Sequence, residues 1–155
     1  MTFRIRSLDA GPFAGIFSMS DDALRRRNIH RLTVASKPGA PCRISLVDAE
    51  VGETVFLLNH EHQPAPTPYR ASHAIYVRKG ASSASLGEGE IPRMLLIRLI
   101  SLRLFDAGDM MIDADVVDGR DLAQALDLAF RNPDVAYAHL HFATRGCFAA
   151  RADRA

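Results

Sequence analysis

The sequence predicts an α+β fold in which residues 1–155 form a single domain. We expect a mainly antiparallel sheet, one well-formed covering helix at about 119–131 and two short peripheral helices. Three observations predict this fold. Several short segments alternate apolar and polar residues as half-buried strands do, one segment repeats apolar residues at helical spacing, and no repeat or linker divides the chain. A more closed, barrel-like sheet with the same helices outside is the alternative.

The first half of the chain alternates strand-like segments with turns. Ser20 is expected to cap a short helix, because Asp21 and Asp22 follow it and the helix dipole favours anions in the first turn. The glycine- and serine-rich residues 79–90 predict a flexible loop. Strands are predicted at residues 3–6, 31–35, 42–46, 54–60 and 74–77.

The second half contains the clearest periodicities. Residues 100–104 and 110–117 alternate apolar and polar side chains on either side of the turn at 106–109, which predicts a β-hairpin. Asp118 is expected to cap the covering helix, whose apolar stripe comprises Leu122, Ala125, Leu126 and Ala129. The remaining elements are a short peripheral helix at 93–98 and strands at 135–142 and 147–151.

Bulk properties exclude some classes of function. The formal net charge of +1 argues against a nucleic-acid partner, which usually requires a strong basic excess. The most apolar stretch, residues 94–105, contains two arginines and is shorter than the roughly 20 residues that span a bilayer. Residues 1–10 lack the apolar core of a secretory signal. We therefore expect a soluble cytoplasmic protein with no membrane partner, whose two cysteines, Cys42 and Cys147, are reduced.

Four runs of sequence resemble an uncharacterised bacterial group, the domain-of-unknown-function family twelve-oh-three. They are residues 38–49 (PGAPCRISLVDA), 68–72 (PYRAS), 113–119 (DADVVDG) and 146–151 (GCFAAR). The resemblance covers nearly the whole chain and implies a bacterial, single-domain protein. It brings no established activity, cofactor or active site.

The first site hypothesis is a pocket for a small anionic ligand, formed by Arg43, Tyr69 and Arg70 with His139 or His141 at its edge. Arg43 follows a Pro-Gly turn, and Tyr69-Arg70 follows a loop stiffened by three prolines. A guanidinium held by a stiff backbone loses less entropy when it binds an anion through two hydrogen bonds. His60, His62 and His73 are further candidates for the lining. The alternative is a structural role, in which both arginines pair with nearby carboxylates or carbonyls.

The competing hypothesis is a metal-assisted enzyme. His60 and His62, like His139 and His141, are spaced so that a strand would project both imidazoles from one face. Asp113 and Asp115 have the same spacing and would add carboxylates. A third possibility is a structural or partner-binding module without ligand. The sequence identifies no cofactor, oligomeric state or reaction, and it does not decide whether the protein is an enzyme.

Overall fold

The structure is a computed structural model that describes residues 3–155. Residues 1 and 2 lie outside the described part; they belong to residues 1–10, where the sequence predicts no secretory signal. Within that part the chain forms eight strands in two antiparallel sheets, with few helices, which confirms the α+β class. The strands are β1 (Phe3–Arg6), β2 (His30–Thr33), β3 (Thr54–Gln63), β4 (Ala71–Arg78), β5 (Leu99–Phe105), β6 (Met111–Asp118), β7 (Tyr137–Phe142) and β8 (Phe148–Arg154). The α-helices are α1 (Asp21–Arg26), α2 (Arg93–Leu96) and α3 (Leu122–Ala129), and 3-10 helices span Gly11–Ser18 and Gly119–Asp121.

The larger sheet has the strand order β1-β8-β7-β5-β6. It is open, because β1 and β6 form its two edges, and so the barrel-like alternative is not found in residues 3–155. The predicted hairpin is confirmed as β5 and β6. Its turn is held by the Asp106 carboxylate, which accepts hydrogen bonds from the backbone N–H groups of Gly108 at 2.9 Å and Met110 at 3.0 Å.

Helix α3 covers one face of the larger sheet, as the apolar stripe predicts. Leu122 and Leu126 are buried against strand residues that include Leu102 and Leu140. The helix is shorter than predicted, since residues 119–121 form a separate 3-10 turn in which the Asp118 carboxylate accepts a hydrogen bond from the Arg120 N–H. None of the helices within residues 3–155 is long and apolar enough to cross a membrane.

The smaller sheet has the order β2-β3-β4. It packs against the face of the larger sheet opposite α3, through ring contacts of His62 and His73 with His141. The inner face of β3 and β4 is apolar at one end, where Phe56 and Val77 pack against the 3-10 helix Gly11–Ser18 and helix α1. At the other end of the same face His60 lies opposite His73 in the strand register. This histidine end contacts the larger sheet through ring contacts with Phe148 and His141.

The predicted strand at 42–46 is wrong. Leu46 has a φ of 56°, in the left-handed region, and its N–H donates to the Cys42 carbonyl at 2.9 Å. These contacts close a tight loop, and only single bridges pair Pro41 with Asp48 and Cys42 with Tyr76. A short apolar run with β-branched residues does not by itself distinguish a strand from a buried loop.

Candidate metal centre

The histidine cluster includes two histidines of strand β7, where alternate side chains point to the same face of the sheet. Tyr137, His139 and His141 point to the face of the larger sheet that is not covered by α3, because alternate residues of a strand share a face. On the neighbouring strand β5, Arg103 lies opposite His139 and Ser101 lies opposite His141. The smaller sheet brings its own histidines to this surface.

Three histidines from three different strands converge between the sheets. One ring nitrogen each of His62 (β3), His73 (β4) and His141 (β7) lie within 4.8 Å of one another. The His62 Nε2 and His73 Nδ1 atoms are hydrogen-bonded at 3.0 Å. We call these three residues the histidine triad. Because zinc–nitrogen bonds are about 2.0–2.1 Å long, nitrogens on one tetrahedral zinc ion lie about 3.4 Å apart, so the most widely separated pair of triad nitrogens would have to approach by up to about 1.4 Å to share an ion.

His141 is oriented by its own loop. Its Nδ1 lies 2.9 Å from the Gly146 carbonyl oxygen, which can only accept, so Nδ1 carries the proton and donates it. The opposite nitrogen, Nε2, is therefore a lone-pair acceptor. It is buried and has no hydrogen-bond partner among the described residues, and His141 as a whole is 0% exposed. Histidine ligands in metal sites commonly donate their second nitrogen to a backbone carbonyl in this way.

His62 is held by aromatic contacts. Its ring stacks on Phe148, with centroids 5.1 Å apart and planes inclined by 3°, and it meets His141 edge-on at 4.8 Å. The Nδ1 atom of His62 is also buried without a partner. His73 is half-buried and forms the side of the triad nearest to solvent.

The environment keeps these imidazoles neutral. Burial lowers the pKa of His62 to about 4 and the pKa values of His139 and His141 to about 3. Burial is the largest cause of these shifts, and neighbouring imidazoles and the Arg103 guanidinium contribute to the same values. The pKa of His73 is lowered by burial and by Arg103 as well. Neutral imidazole is the form that binds a metal ion.

Two of the sequence-predicted metal ligands lie beside the triad. His139 is buried with its Nδ1 unpartnered, and its ring packs on Phe105 at 4.9 Å. His60 contacts Phe13 at 5.9 Å and Phe148 at 6.5 Å. The structure therefore unites one histidine from each predicted His-x-His pair, His62 and His141, and adds His73.

The predicted contribution of Asp113 and Asp115 is wrong. These residues lie opposite Leu104 and Leu102 in the register of β5 and β6, so they point to the α3 side of the sheet, away from the histidines. Each is exposed, and its carboxylate accepts from the N–H of the following residue. A strand that pairs at the sheet edge in this register cannot bring them to the other face.

Arg43 is a buried structural cation. It is 1% exposed and donates from Nε to the Phe148 carbonyl at 2.7 Å, from Nη1 to the Pro41 carbonyl at 2.6 Å and from Nη2 to Cys147 Sγ at 3.1 Å. Burial lowers its pKa. The guanidinium thus ties the loop before β3 to the start of β8.

Arg70 and Tyr69 lie elsewhere. Arg70 is exposed and forms an ion pair with Glu61, with Nε 3.0 Å from the carboxylate. Tyr69 meets Phe105 edge-on at 6.3 Å. The predicted anion pocket is therefore not formed as a unit, because Arg70 already has a carboxylate and Arg43 is used by backbone carbonyls at another place.

A cavity of about 740 Å³ adjoins the triad at His73. Arg43, Arg98 and Arg145 are at its wall, together with Tyr76, Phe142 and Cys147. Arg98 is balanced by two hydrogen bonds to Asp48, at 2.6 and 2.9 Å. Arg145 is exposed and forms no ion pair within residues 3–155.

Sequence reasoning named His73 only as a candidate for the anion pocket and not among the candidate metal ligands, because it has no second histidine two residues away. The signal was available in the pairing of β3 with β4 around the proline-rich loop, which places His73 opposite His60. Arg103 was missed although it alternates with Leu102 and Leu104 on a strand whose neighbour carries the second His-x-His pair.

Comparison with known proteins gives a family but no activity. No curated protein and no solved structure matches the chain significantly. The family model DUF1203, described as a protein of unknown function, matches residues 39–154. That range contains the whole triad, Arg103 and the covering helix, and it agrees with the resemblance carried by the four sequence runs. The chain therefore belongs to the DUF1203 family.

Proposed function

We propose that the protein binds one divalent transition-metal ion through His62, His73 and His141, and that the bound ion supports metal-assisted chemistry. The observation that carries the proposal is the buried, unpartnered Nε2 of His141, with its Nδ1 hydrogen bonded to the Gly146 carbonyl. A buried nitrogen without a partner costs about 1–3 kcal/mol. Coordination of a metal ion would remove that cost.

The ligand set indicates the class of metal. Three neutral imidazoles suit zinc, copper, iron or nickel rather than calcium or magnesium, which prefer oxygen ligands. Structural zinc sites are usually closed by four protein ligands, whereas catalytic sites keep a position open for water or substrate. The triad supplies three ligands, and His73 lies at the half-buried side next to the cavity. This arrangement favours an open site.

An open site of this kind supports a defined set of reactions. A bound metal ion polarises a carbonyl or phosphoryl oxygen and lowers the pKa of a coordinated water to about 7. The reaction class that we propose is therefore the attack of metal-bound water on such a centre. The role of the triad is to hold the ion and leave one position accessible.

The test is metal stoichiometry in matched variants. Protein purified without an affinity tag is expected to contain about one equivalent of transition metal by elemental analysis, and the metal-free protein should bind Zn²⁺ in calorimetry. His141→Phe should weaken Zn²⁺ binding by more than about 100-fold, because removal of a residue that only orients a metal ligand already costs up to about that much. His139→Phe is the matched control, because His139 lies on the same strand and face and is also buried. It should change Zn²⁺ affinity by less than about 3-fold.

Two outcomes would reject the proposal. One is equal Zn²⁺ affinity in the His141→Phe and His139→Phe variants. The other is a wild-type protein that takes up no metal, which would favour the module without ligand. If His141→Phe does not fold, as judged by circular dichroism, then His73→Ala replaces it, since His73 is only half-buried.

A further inference from the structure

Arg103 lies beside the triad by the geometry of β5 and β7. It faces His139 across the strand pair, where directly opposed Cβ atoms are about 4.5–5.5 Å apart. Its Nε donates to Ser101 Oγ at 3.1 Å, and Ser101 faces His141. This hydrogen bond directs the Arg103 guanidinium along β5 toward Ser101, and so toward the level of His141.

The end of this side chain is free to bind something else. Within residues 3–155 the Nη1 and Nη2 groups of Arg103 form no hydrogen bond to protein, and Arg103 forms no ion pair. Arg103 is half-buried. Its Nη atoms are not among the buried side-chain atoms that lack a partner, so the guanidinium end is accessible to a ligand that enters from solvent.

The charges around the triad indicate that the partner of the Arg103 guanidinium is an anion. The groups that perturb the pKa values of His62, His73 and His141 include Arg103 and other histidines but no carboxylate. Three neutral imidazoles do not reduce the charge of a divalent ion, so the loaded site would carry two positive charges next to the positive guanidinium. In a partly desolvated site this repulsion is costly unless an anion is present.

We propose that a carboxylate or phosphoryl oxyanion binds beside the metal-bound water, with one oxygen joining the metal as a fifth ligand and its second oxygen bound by the Nη groups of Arg103. This inference rests on the proposed metal site and names its substrate class: an organic molecule with one such anionic group. A guanidinium presents N–H groups in a planar fork that matches carboxylate and phosphate geometry. The small anionic ligand expected from the sequence is thus assigned to Arg103 instead of Arg43 and Arg70.

The proposal has a thermodynamic consequence that can be measured. If the anion offsets the repulsion between the ion and Arg103, then metal and anion must each increase the affinity for the other by the same factor. Coupling between sites commonly amounts to about 5–150-fold. Removal of the guanidinium should weaken the coupling, leaving only the part that comes from the bond between anion and metal, and should tighten Zn²⁺ binding in the absence of the anion because the repulsion disappears.

The experiment compares Zn²⁺ affinity of the metal-free full chain with and without a probe anion, by competition against a chromophoric chelator. Acetate is the carboxylate probe and methylphosphonate is the phosphoryl probe, in separate arms. In the wild-type protein at least one probe should tighten Zn²⁺ binding by about 5-fold or more. In Arg103→Gln both probes should have a smaller effect than in the wild-type protein, and Zn²⁺ should bind more tightly than in wild type when no probe is present. Arg103→Lys, which keeps the charge but loses the planar fork, should retain only part of the coupling.

The control is Arg145→Gln, which removes an arginine from the wall of the adjoining cavity. It should behave as the wild-type protein does. A coupling that is as large in Arg103→Gln as in the wild-type protein, or that is lost in Arg145→Gln, would overturn the assignment to Arg103 while leaving the metal site intact. Zn²⁺ binding that is independent of both probes would do the same. A wild-type chain that binds no Zn²⁺ with or without the probes would overturn both proposals together.

Discussion

The two faces of strand β7 differ in chemistry although all six residues of the strand are buried. One face carries Ala138 and Leu140, which pack against the α3 side of the core. The other carries His139 and His141, which have buried nitrogens without partners. Burial of apolar side chains stabilises a fold, whereas burial of unpartnered polar atoms costs free energy. The α3 face therefore stabilises the fold, whereas the histidine face costs free energy that the proposed metal ion would offset.

The largest effect is expected at Gly119, on the α3 side. A Cβ added there would lie 1.8 Å from the Leu95 carbonyl oxygen and 2.8 Å from the Arg98 carbonyl oxygen. Both atoms are backbone, so neither can move cheaply. Gly119→Ala should therefore lower the free energy of unfolding by about 3 kcal/mol or more, measured by urea denaturation. Gly15→Ala, where a Cβ would meet nothing within 4 Å, is the control, and an equal loss in both variants would contradict the packing described here.

The covering helix offers a matched pair for the same face. Leu126 is 0% exposed and Leu128, two residues later, is 63% exposed. Leu126→Ala should cost about 2–5 kcal/mol, and Leu128→Ala less than about 0.5 kcal/mol. Zn²⁺ affinity of the folded protein should be unchanged in both variants, because α3 does not contact the triad. A large change in Zn²⁺ affinity in either variant would break the distinction between the two faces.

The histidine face predicts a pH dependence of the metal-free protein. Burial lowers the pKa of His139 and His141 to about 3, so between pH 6.5 and that value the unfolded chain binds protons that the folded chain does not. Stability should thus be complete above about pH 6.5 and should fall as the pH decreases, by about 2 kcal/mol or more at pH 4.5. Chemical denaturation at several pH values measures this change in the free energy of unfolding. The slope should be shallower in His139→Phe, and a slope identical to wild type would argue that His139 is not buried in its neutral form.

The smallest effect is expected at Arg70, outside both faces. Its ion pair with Glu61 is exposed, and such pairs contribute about 0–1 kcal/mol. Arg70→Ala should change the free energy of unfolding by less than about 1 kcal/mol and leave Zn²⁺ affinity and its coupling to acetate unaltered. Loss of that coupling in Arg70→Ala would return the anion site to the loop that the sequence first indicated.

Local patterns predicted most of the fold. The β5–β6 hairpin, the cap at Ser20 and the apolar stripe of α3 are encoded by neighbouring residues, and the structure confirms them. The loop at 42–46 was misassigned because its conformation depends on contacts with Tyr76, far along the chain. Short-range alternation cannot report such contacts.

The candidate site was only half predictable for the same reason. The spacing of His139 and His141 identified their shared face, but which histidine of each pair reaches the triad depends on how the two sheets pack. Asp113 and Asp115 show the limit most clearly. Their spacing is the same as that of the histidines, yet the register of β5 and β6 turns them to the opposite side.

The most direct test of the metal site is a crystal structure of the protein grown with Zn²⁺, with anomalous diffraction recorded on both sides of the zinc absorption edge. One anomalous peak is expected between the rings of His62, His73 and His141, with Zn–N distances of about 2.0–2.1 Å. A structure without a peak there, or with zinc bound only at exposed residues such as His30, would contradict the assignment of the triad as a metal centre.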